Sequence, residues 1–252
     1  MNDENRESAS IAFDPIKSRA GELFKSQYGL CIGAILISAA LPMLMTAQPL
    51  AASLSMLREV SGGVMPSLDV MQRTNGNLTL TRILVEPISL IFQVGIVKVF
   101  LAIYRGEETS VSDVFWGFRN LQRILIGMLP LFGMTLLSTI ASNSPSLFSS
   151  VLSIAGMVIS IGLWMIPYIL VDSQDLPPID AVRLSWRMTI GHRWEYFLFC
   201  LSFIGWVLLS IVTLGIGLLY YMPYWQASLA GYYEEVRQNA LYEGRVTSME
   251  LE

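Results

Sequence analysis

Charge is scarce in this sequence. Asp, Glu, Lys and Arg make up 14% of its 252 residues, where an ordinary soluble domain carries roughly 25%. Histidine is scarcer still, at one residue, and cysteine appears twice. Each shortage excludes a class of function. No Lys/Arg cluster is dense enough to neutralise a run of phosphates, which argues against nucleic acid as a partner. Cys31, Cys200 and His192 cannot supply four metal ligands, so no metal site is expected, and no cofactor. The two thiols lie in apolar segments and read as small hydrophobes. The P-loop, G-x-G-x-x-G, H-E-x-x-H and G-x-S-x-G patterns are all missing. A hydrolytic nucleophile needs a base beside it, and a single histidine is poor provision. No catalytic residue is assigned, although carboxylate or arginine chemistry on a lipid headgroup stays open.

Apolar residues are abundant, at 53% of the chain, and they come in long runs. A helix needs about 20 of them to cross the hydrocarbon core. The runs predict an all-α, polytopic membrane bundle of about six spans: Tyr28 to Leu50, Ile83 to Tyr104, Ile124 to Ala141, Leu147 to Val171, Glu195 to Val212 and Ile216 to Glu235. Residues 1–27 form a leader with an amphipathic helix, 28–235 the membrane domain and 236–252 a tail, with an external loop over about 51–82. The leader is longer than a signal-peptide n-region, so the first span is expected to stay uncleaved. Thr213 to Gly217 reads as a tight turn. Glycine weakens helix there, and an unbroken helix from Glu195 to Glu235 would be about 60 Å long.

The cations set an orientation. With the N-terminus inside, twelve fall on the cytoplasmic side: Arg6, Lys17, Arg19, Lys25, Arg105, Arg119, Arg123, Arg183, Arg187, Arg193, Arg237 and Arg245. The outer side keeps Arg58, Arg73 and Arg82, and Lys98 lies within a span. Both termini are therefore expected in the cytoplasm.

Three cytoplasmic segments share a design. Each opens on a helix-start signal, at Asp14-Pro15, Ser110 to Asp113, and Asp175 before Pro177-Pro178. Each carries an apolar stripe: Phe13, Ile16, Ala20, Leu23; Val111, Val114, Phe118, Leu121; Ile179, Val182, Trp186, Ile190. Each ends on a cation at the membrane, Lys25, Arg123 or Arg193. The spacing predicts an interfacial amphipathic helix before each odd-numbered span; the plainer reading is that any such connector tends to be amphipathic. Lys25, Arg123, Arg183, Arg187, His192 and Arg193 are the candidate contacts to lipid headgroups. Membrane lipids, and a membrane-protein partner, are the expected associations. Tyr220, Tyr221, Tyr224, Trp225, Tyr232 and Tyr233 fit an aromatic belt.

Arg82, Glu86, Ser89 and Gln93 fall on one stripe of the second span. Polar groups at that depth are costly and often functional. The stripe can line a polar path, or it can pack against neighbouring helices. In the plainer reading Arg82 and Glu86 pair at i, i+4 near the outer interface and Lys98 snorkels to the inner one. Gly29 to Gly33 and Ala227 to Gly231 are small-xxx-small patterns that permit close helix contact. Asn75-Gly76-Asn77 reads as a turn, and Asn77-Leu78-Thr79 as a sequon.

The stretch from Ile166 to Val236 carries a series of motifs: Pro167 to Asp172, Ala181 to Ser185, Gly191 to Trp194, Leu201 to Trp206, Leu214 to Gly217, Met222 to Tyr224 and Tyr232 to Glu235. In order and spacing this stretch resembles the bacterial integral membrane proteins grouped as domain of unknown function nine-seven-five. A lysine is commoner than Arg193 at that motif position, and the charge is kept. The resemblance implies a multi-spanning bacterial plasma-membrane protein and brings no catalytic residues with it. The leading expectation is a non-enzymatic accessory or scaffold component that touches lipid or a partner. The alternative is a small-solute transporter or channel using the second-span stripe; a lipid-modifying enzyme ranks third.

Overall fold

The computed structural model describes residues 11–40, 68–142 and 147–251. Helix is the only regular structure among them. In chain order the elements are α1 (Phe13–Ser26), α2 (Tyr28–Ala40), α3 (Leu68–Arg105), a 3-10 turn (Val111–Phe115) leading into α4 (Trp116–Arg119), α5 (Leu121–Ser142), α6 (Leu147–Leu163) and α7 (Ile166–Asp172). Then follow α8 (Pro178–Met188), α9 (Arg193–Leu201), α10 (Ile204–Val212), α11 (Ile216–Tyr242) and a last 3-10 turn (Ser248–Glu250).

Four stretches are long and apolar enough to cross a membrane: Val85–Arg105, Leu121–Ser138, Ser150–Asp172 and Arg193–Val212. A fifth qualifies if α1 and α2, which meet at 90°, count as one bent span. The sequence predicts six. The expected last span falls short of that apolarity because Tyr220, Tyr221, Tyr224, Trp225 and Gln226 interrupt it. It has no need of an oily surface, since Ala227 to Tyr233 are all buried among the other helices. The far half of the expected first span, beyond Ala40, lies outside the described residues.

α3 corrects another expectation. It starts at Leu68, so Asn75-Gly76-Asn77 lies within a helix and makes no turn there. One glycine costs a helix only about 1 kcal/mol relative to alanine, which a long, already nucleated helix tolerates.

The three connector segments are not copies of one another. α1 begins at Phe13 with Ala12 as its N-cap, so Asp14 sits in the first turn without capping it. Its apolar face buries against α11: Phe13 lies 6.4 Å from the Tyr232 ring and Phe24 is edge-on to Tyr220 at 5.0 Å. The middle segment is a 3-10 turn and one turn of α-helix. Its capping box is as expected, with Asp113 Oδ2 accepting the Ser110 N–H at 2.9 Å. That bond, with those from the Thr109 and Ser110 hydroxyls, holds the Asp113 carboxyl below its ordinary range. α8 starts at Pro178 after Pro177, with Asp180 rather than Asp175 in the first turn. It is apolar on two faces. Ala181, Leu184 and Met188 pack inward, while Ile179 and Trp186, with Ile190 just past the helix end, point out.

α10 and α11 form a hairpin, as the glycines at 215 and 217 predict. Gly215 takes φ +92° and Leu214 φ +51°, and Leu214 stands 95% exposed at the tip. The Thr213 hydroxyl accepts the Gly217 N–H at 2.9 Å. A Cβ on Gly217 would stand 2.8 Å from Ser210 Oγ, so the return helix needs glycine to lie this close. The arms are zipped by rings, with Trp206 stacked on Tyr220 at 5.1 Å and Phe203 against Tyr224 at 5.5 Å.

The aromatic residues of α11 do not form a belt throughout. Tyr232 and Tyr233 are fully buried, in a column of rings that includes Phe199–Tyr232 at 4.7 Å, Tyr168–Tyr233 at 4.9 Å and Trp164–Tyr196 at 4.5 Å. A phenol can enter a core if its hydroxyl finds a partner. The Tyr233 hydroxyl donates to Asp172 at 2.9 Å, and that of Tyr232 to the His192 carbonyl at 3.4 Å.

Candidate functional site

Three features stand out. The first is an ionic knot at one end of the bundle. Arg105 closes α3 and Asp172 closes α7; Arg105 Nη1 lies 2.8 Å from Asp172 Oδ1. The same guanidinium reaches Glu234 Oε1 of α11 at 2.5 Å. Asp172 Oδ2 accepts the Tyr233 hydroxyl and also has Arg237 Nε at 2.9 Å. That last contact is an ion pair by distance only, since the N–H is not aligned to donate. Two arginines, two carboxylates and a phenol thus tie three helices together where they emerge. Every partner is at most about a quarter exposed, so losing one leaves an uncompensated charge.

The second feature is the C-terminal segment. α11 continues past Glu235 to Tyr242, and residues 243–251 fold back over α8 and the start of α9. Val246 and Leu251 are buried. Arg187 Nη1 binds Glu250 at 2.7 Å and Nη2 donates to the Arg245 carbonyl. The Ser173 hydroxyl donates to the Leu251 carbonyl at 2.8 Å. Beneath this clasp His192 is 1% exposed. Its Nδ1 lies 2.7 Å from Glu195 Oε2, and Arg245 Nη2 approaches Nε2 at 3.4 Å. Both ring nitrogens of His192 thus face a charged side chain inside the protein.

The third feature is an open-sided cavity of about 700 Å³ bounded by α3, α5, α6, α7, α9 and α11. Glu86, Leu90, Gln93 and Val97 present one stripe of α3 to it, as the i, i+4, i+7 rule requires. α5 and α6 contribute Thr135, Ser138 and Ser160, and α11 contributes Gln226. Its inner wall is aromatic, made by Trp164, Tyr168, Tyr196 and Trp225. The Trp164 Nε1–H is buried and has no acceptor among the described residues. Glu86 precedes Arg105 by nineteen residues of α3, about 28 Å along a helix. Glu86 thus lies far along α3 from the ionic knot, while Tyr168 on the opposite wall stacks on Tyr233 of the knot at 4.9 Å.

Of the expected polar stripe, Glu86 and Gln93 line this cavity. Ser89 does not; its hydroxyl donates to the Val85 carbonyl one turn back. The Arg82 side chain lies outside the described residues. The expected headgroup cations scatter. Lys25 is exposed and Arg183 is exposed with an i, i+3 partner in Asp180. Arg187 is half-exposed but engaged by the clasp. Arg123 donates to the Ser173 carbonyl, and Arg193 lies over the Trp186 ring at 3.9 Å. His192 faces Glu195 and Arg245 inside the protein. Lys98 covers the Trp116 ring at 5.4 Å. Of the small-residue patterns, Gly231 is the close contact, where a Cβ would stand 2.6 Å from Tyr104; at Gly29 nothing lies within 4 Å.

The ionic knot was not anticipated residue by residue, yet a signal existed. Two of the motifs that carry the family resemblance, Pro167 to Asp172 and Tyr232 to Glu235, are the two that meet there. The aromatic wall had no such signal. Trp164, Tyr168, Tyr196 and Trp225 come together only because α7, α9 and α11 do.

No curated protein and no solved structure matches the chain. Residues 145–240, which hold α6 to α10, nearly all of α11, and Asp172, Tyr233, Glu234 and Arg237 of the knot, match the family described as Protein of unknown function (DUF975).

Proposed function

We propose that this protein is a non-enzymatic binding component of the bacterial plasma membrane, with six spans and both termini in the cytoplasm, that holds a small amphiphilic ligand within its helix bundle. The observation that carries the reading is the cavity of about 700 Å³, a size typical of sites for small organic molecules. Its lining joins an apolar and aromatic wall to a few polar groups, Glu86, Gln93 and Gln226. Such a set fixes the orientation of a ligand without chemistry on it. The orientation is supported by the excess of Lys and Arg in the expected cytoplasmic connectors. Arg105, Arg123, Arg187, Arg237 and Arg245 also gather at the end of the bundle where the clasp and the ionic knot lie. The bacterial plasma membrane and the accessory role rest on the family likeness and on the outward stripe of Ile179, Trp186 and Ile190, suited to a lipid interface or a neighbouring membrane protein.

The test is purification in mild detergent followed by mass spectrometry of the small molecules that remain bound. A Gly156→Phe variant, which places a ring in the cavity, serves as comparison. A species retained by the native chain and lost from this variant supports the reading. The same bound species on both, or turnover of a lipid by the purified protein alone, overturns it.

A second reading, a small-solute transporter, is favoured by one observation: Glu86 and Gln93 face the cavity from a helix that carries Pro87 beside them. Proteoliposome flux abolished by replacing Glu86 and Gln93 together with alanine would support that version; flux that survives the change would count against it.

A further inference from the structure

The cavity has a chemical bias that its size alone does not express. Glu86 is the only ionisable acid or base among its lining residues apart from the phenols of Tyr168 and Tyr196. No cation whose side chain is described pairs with it. Elsewhere among the described helices, the carboxylates of Asp172, Glu195, Glu234 and Glu250 are each met by an arginine or a histidine. A carboxylate in a bilayer-embedded site is costly unless something compensates it. The other walls are suited to compensation by a ligand. Trp164, Tyr168, Tyr196 and Trp225 offer ring faces and edges, and aromatic faces attract organic cations, tryptophan most strongly. Gln93 sits two helical turns from Glu86 on the same stripe. Together with Gln226 and the unpaired Trp164 N–H, it gives neutral hydrogen-bonding groups along the same cavity.

We propose that this cavity binds an amphiphilic organic cation, its ammonium head beside Glu86 and its apolar body against the aromatic wall. The inference rests on the reading of the cavity as a ligand site and adds the charge class. Anionic amphiphiles are disfavoured by the same carboxylate, and neutral ones lose its attraction. The site recognises the shared chemistry of an ammonium on an apolar body, whether it belongs to a lipid headgroup or to a free small molecule.

The probes are decyltrimethylammonium, decanol and decyl sulfate, which share a chain length and differ in charge. Each is titrated against the full chain in nanodiscs of zwitterionic lipid, with tryptophan fluorescence as readout, since Trp164 and Trp225 line the cavity. Empty nanodiscs correct for partitioning. The native protein is expected to bind the cation about tenfold more tightly than decanol and the anion most weakly. Glu86→Gln should bring the cation down to the level of decanol while decanol binding persists. Gln93→Glu, which adds a second carboxylate to the stripe, should raise the cation preference further; it keeps the test decisive if Glu86→Gln does not fold. A cation preference unchanged in Glu86→Gln, or not raised in Gln93→Glu, overturns the proposal while leaving the ligand site standing. If no probe binds at all, the ligand-site reading fails as well. To separate the two sources of the ammonium, the titration is repeated in nanodiscs of phosphatidylglycerol. An apparent cation affinity that rises there once partitioning is corrected marks the zwitterionic headgroup as a competitor for the site; an unchanged affinity marks the free cation as the occupant.

Discussion

Arg105, the last residue of α3, pairs with Asp172, the last residue of α7, at 2.8 Å, and the Tyr233 hydroxyl of α11 donates to the other oxygen of the same carboxylate at 2.9 Å. Three helices far apart in sequence are thereby held at one level. Charged groups this enclosed do not stabilise a fold merely by attracting each other, because each has given up its hydration. Their value is positional. With the partners satisfied, the end of each helix has one position relative to the others.

The first prediction follows from that enclosure. Asp172→Ala leaves Arg237 without its counter-charge and Arg105 with Glu234 alone, and strips the Tyr233 hydroxyl of its acceptor. Breaking a buried pair in this way costs about 3–5 kcal/mol. Thermal unfolding in detergent should show a large fall in midpoint for Asp172→Ala. Tyr233→Phe, which removes one hydrogen bond and leaves both ion pairs, should cost only about 1 kcal/mol.

Glycine at 95 carries a second prediction. A Cβ there would stand 1.9 Å from the Val114 carbonyl oxygen, a backbone atom that cannot move aside cheaply. Gly95→Ala should therefore detach the 3-10 turn from α3 and lower stability by several kcal/mol, in the range of overpacked cores. Gly133→Ala is the contrast, since nothing lies within 4 Å of its added methyl. It sits inside α5, where alanine is the better helix former by about 1 kcal/mol. The two unfolding midpoints should move in opposite directions.

The clasp should open in acid. The Glu250 carboxyl accepts the Thr247 N–H at 2.9 Å and Arg187 at 2.7 Å, and these bonds hold it below the ordinary glutamate range. A depressed carboxylate contributes its stability in full above the ordinary value and loses it as pH falls through the depressed one. Protease cleavage after the tail residues 243–251 should be slow at neutral pH and accelerate only below about pH 4, the ordinary glutamate range. Glu250→Gln should be cleaved faster at neutral pH and show little further acid dependence. Equal cleavage of both proteins at pH 7 would contradict the clasp.

Topology supplies the last prediction. Reporter fusions at residue 1 and after residue 252 should both be active in the cytoplasm, and a fusion inserted beside Leu214 should report the opposite side. Activity of the two terminal fusions on different sides would exclude an even number of spans.

Much of this architecture was readable in the sequence, because hydrophobic thickness is a one-dimensional property. Runs such as Val85–Arg105 and Arg193–Val212 must be apolar to cross a hydrocarbon layer, whether they face other helices or lipid, and that shows in composition alone. The hairpin at 213–217 was equally legible, since a positive φ at 215 and the close approach at 217 leave their mark as glycine. Capping at Ser110 to Asp113 was legible for the same reason, that the partners are three residues apart.

What the sequence could not fix was which face of each helix meets which neighbour. The α1 stripe at Phe13, Ile16 and Ala20 reads identically whether it lies on lipid or on α11; only the neighbouring helix decides. Tyr232 and Tyr233 look like interface residues until Asp172 and the His192 carbonyl are placed within reach of their hydroxyls. Glu86 and Gln93 share a stripe by helical geometry alone, but the walls that make them part of a cavity come from α5, α6, α7, α9 and α11. Periodicity along one chain determined that the protein is helical and apolar enough for a membrane. The meeting of segments distant in sequence, which no local spacing encodes, determined where Arg105, Asp172 and Glu234 find their partners and which walls face Glu86.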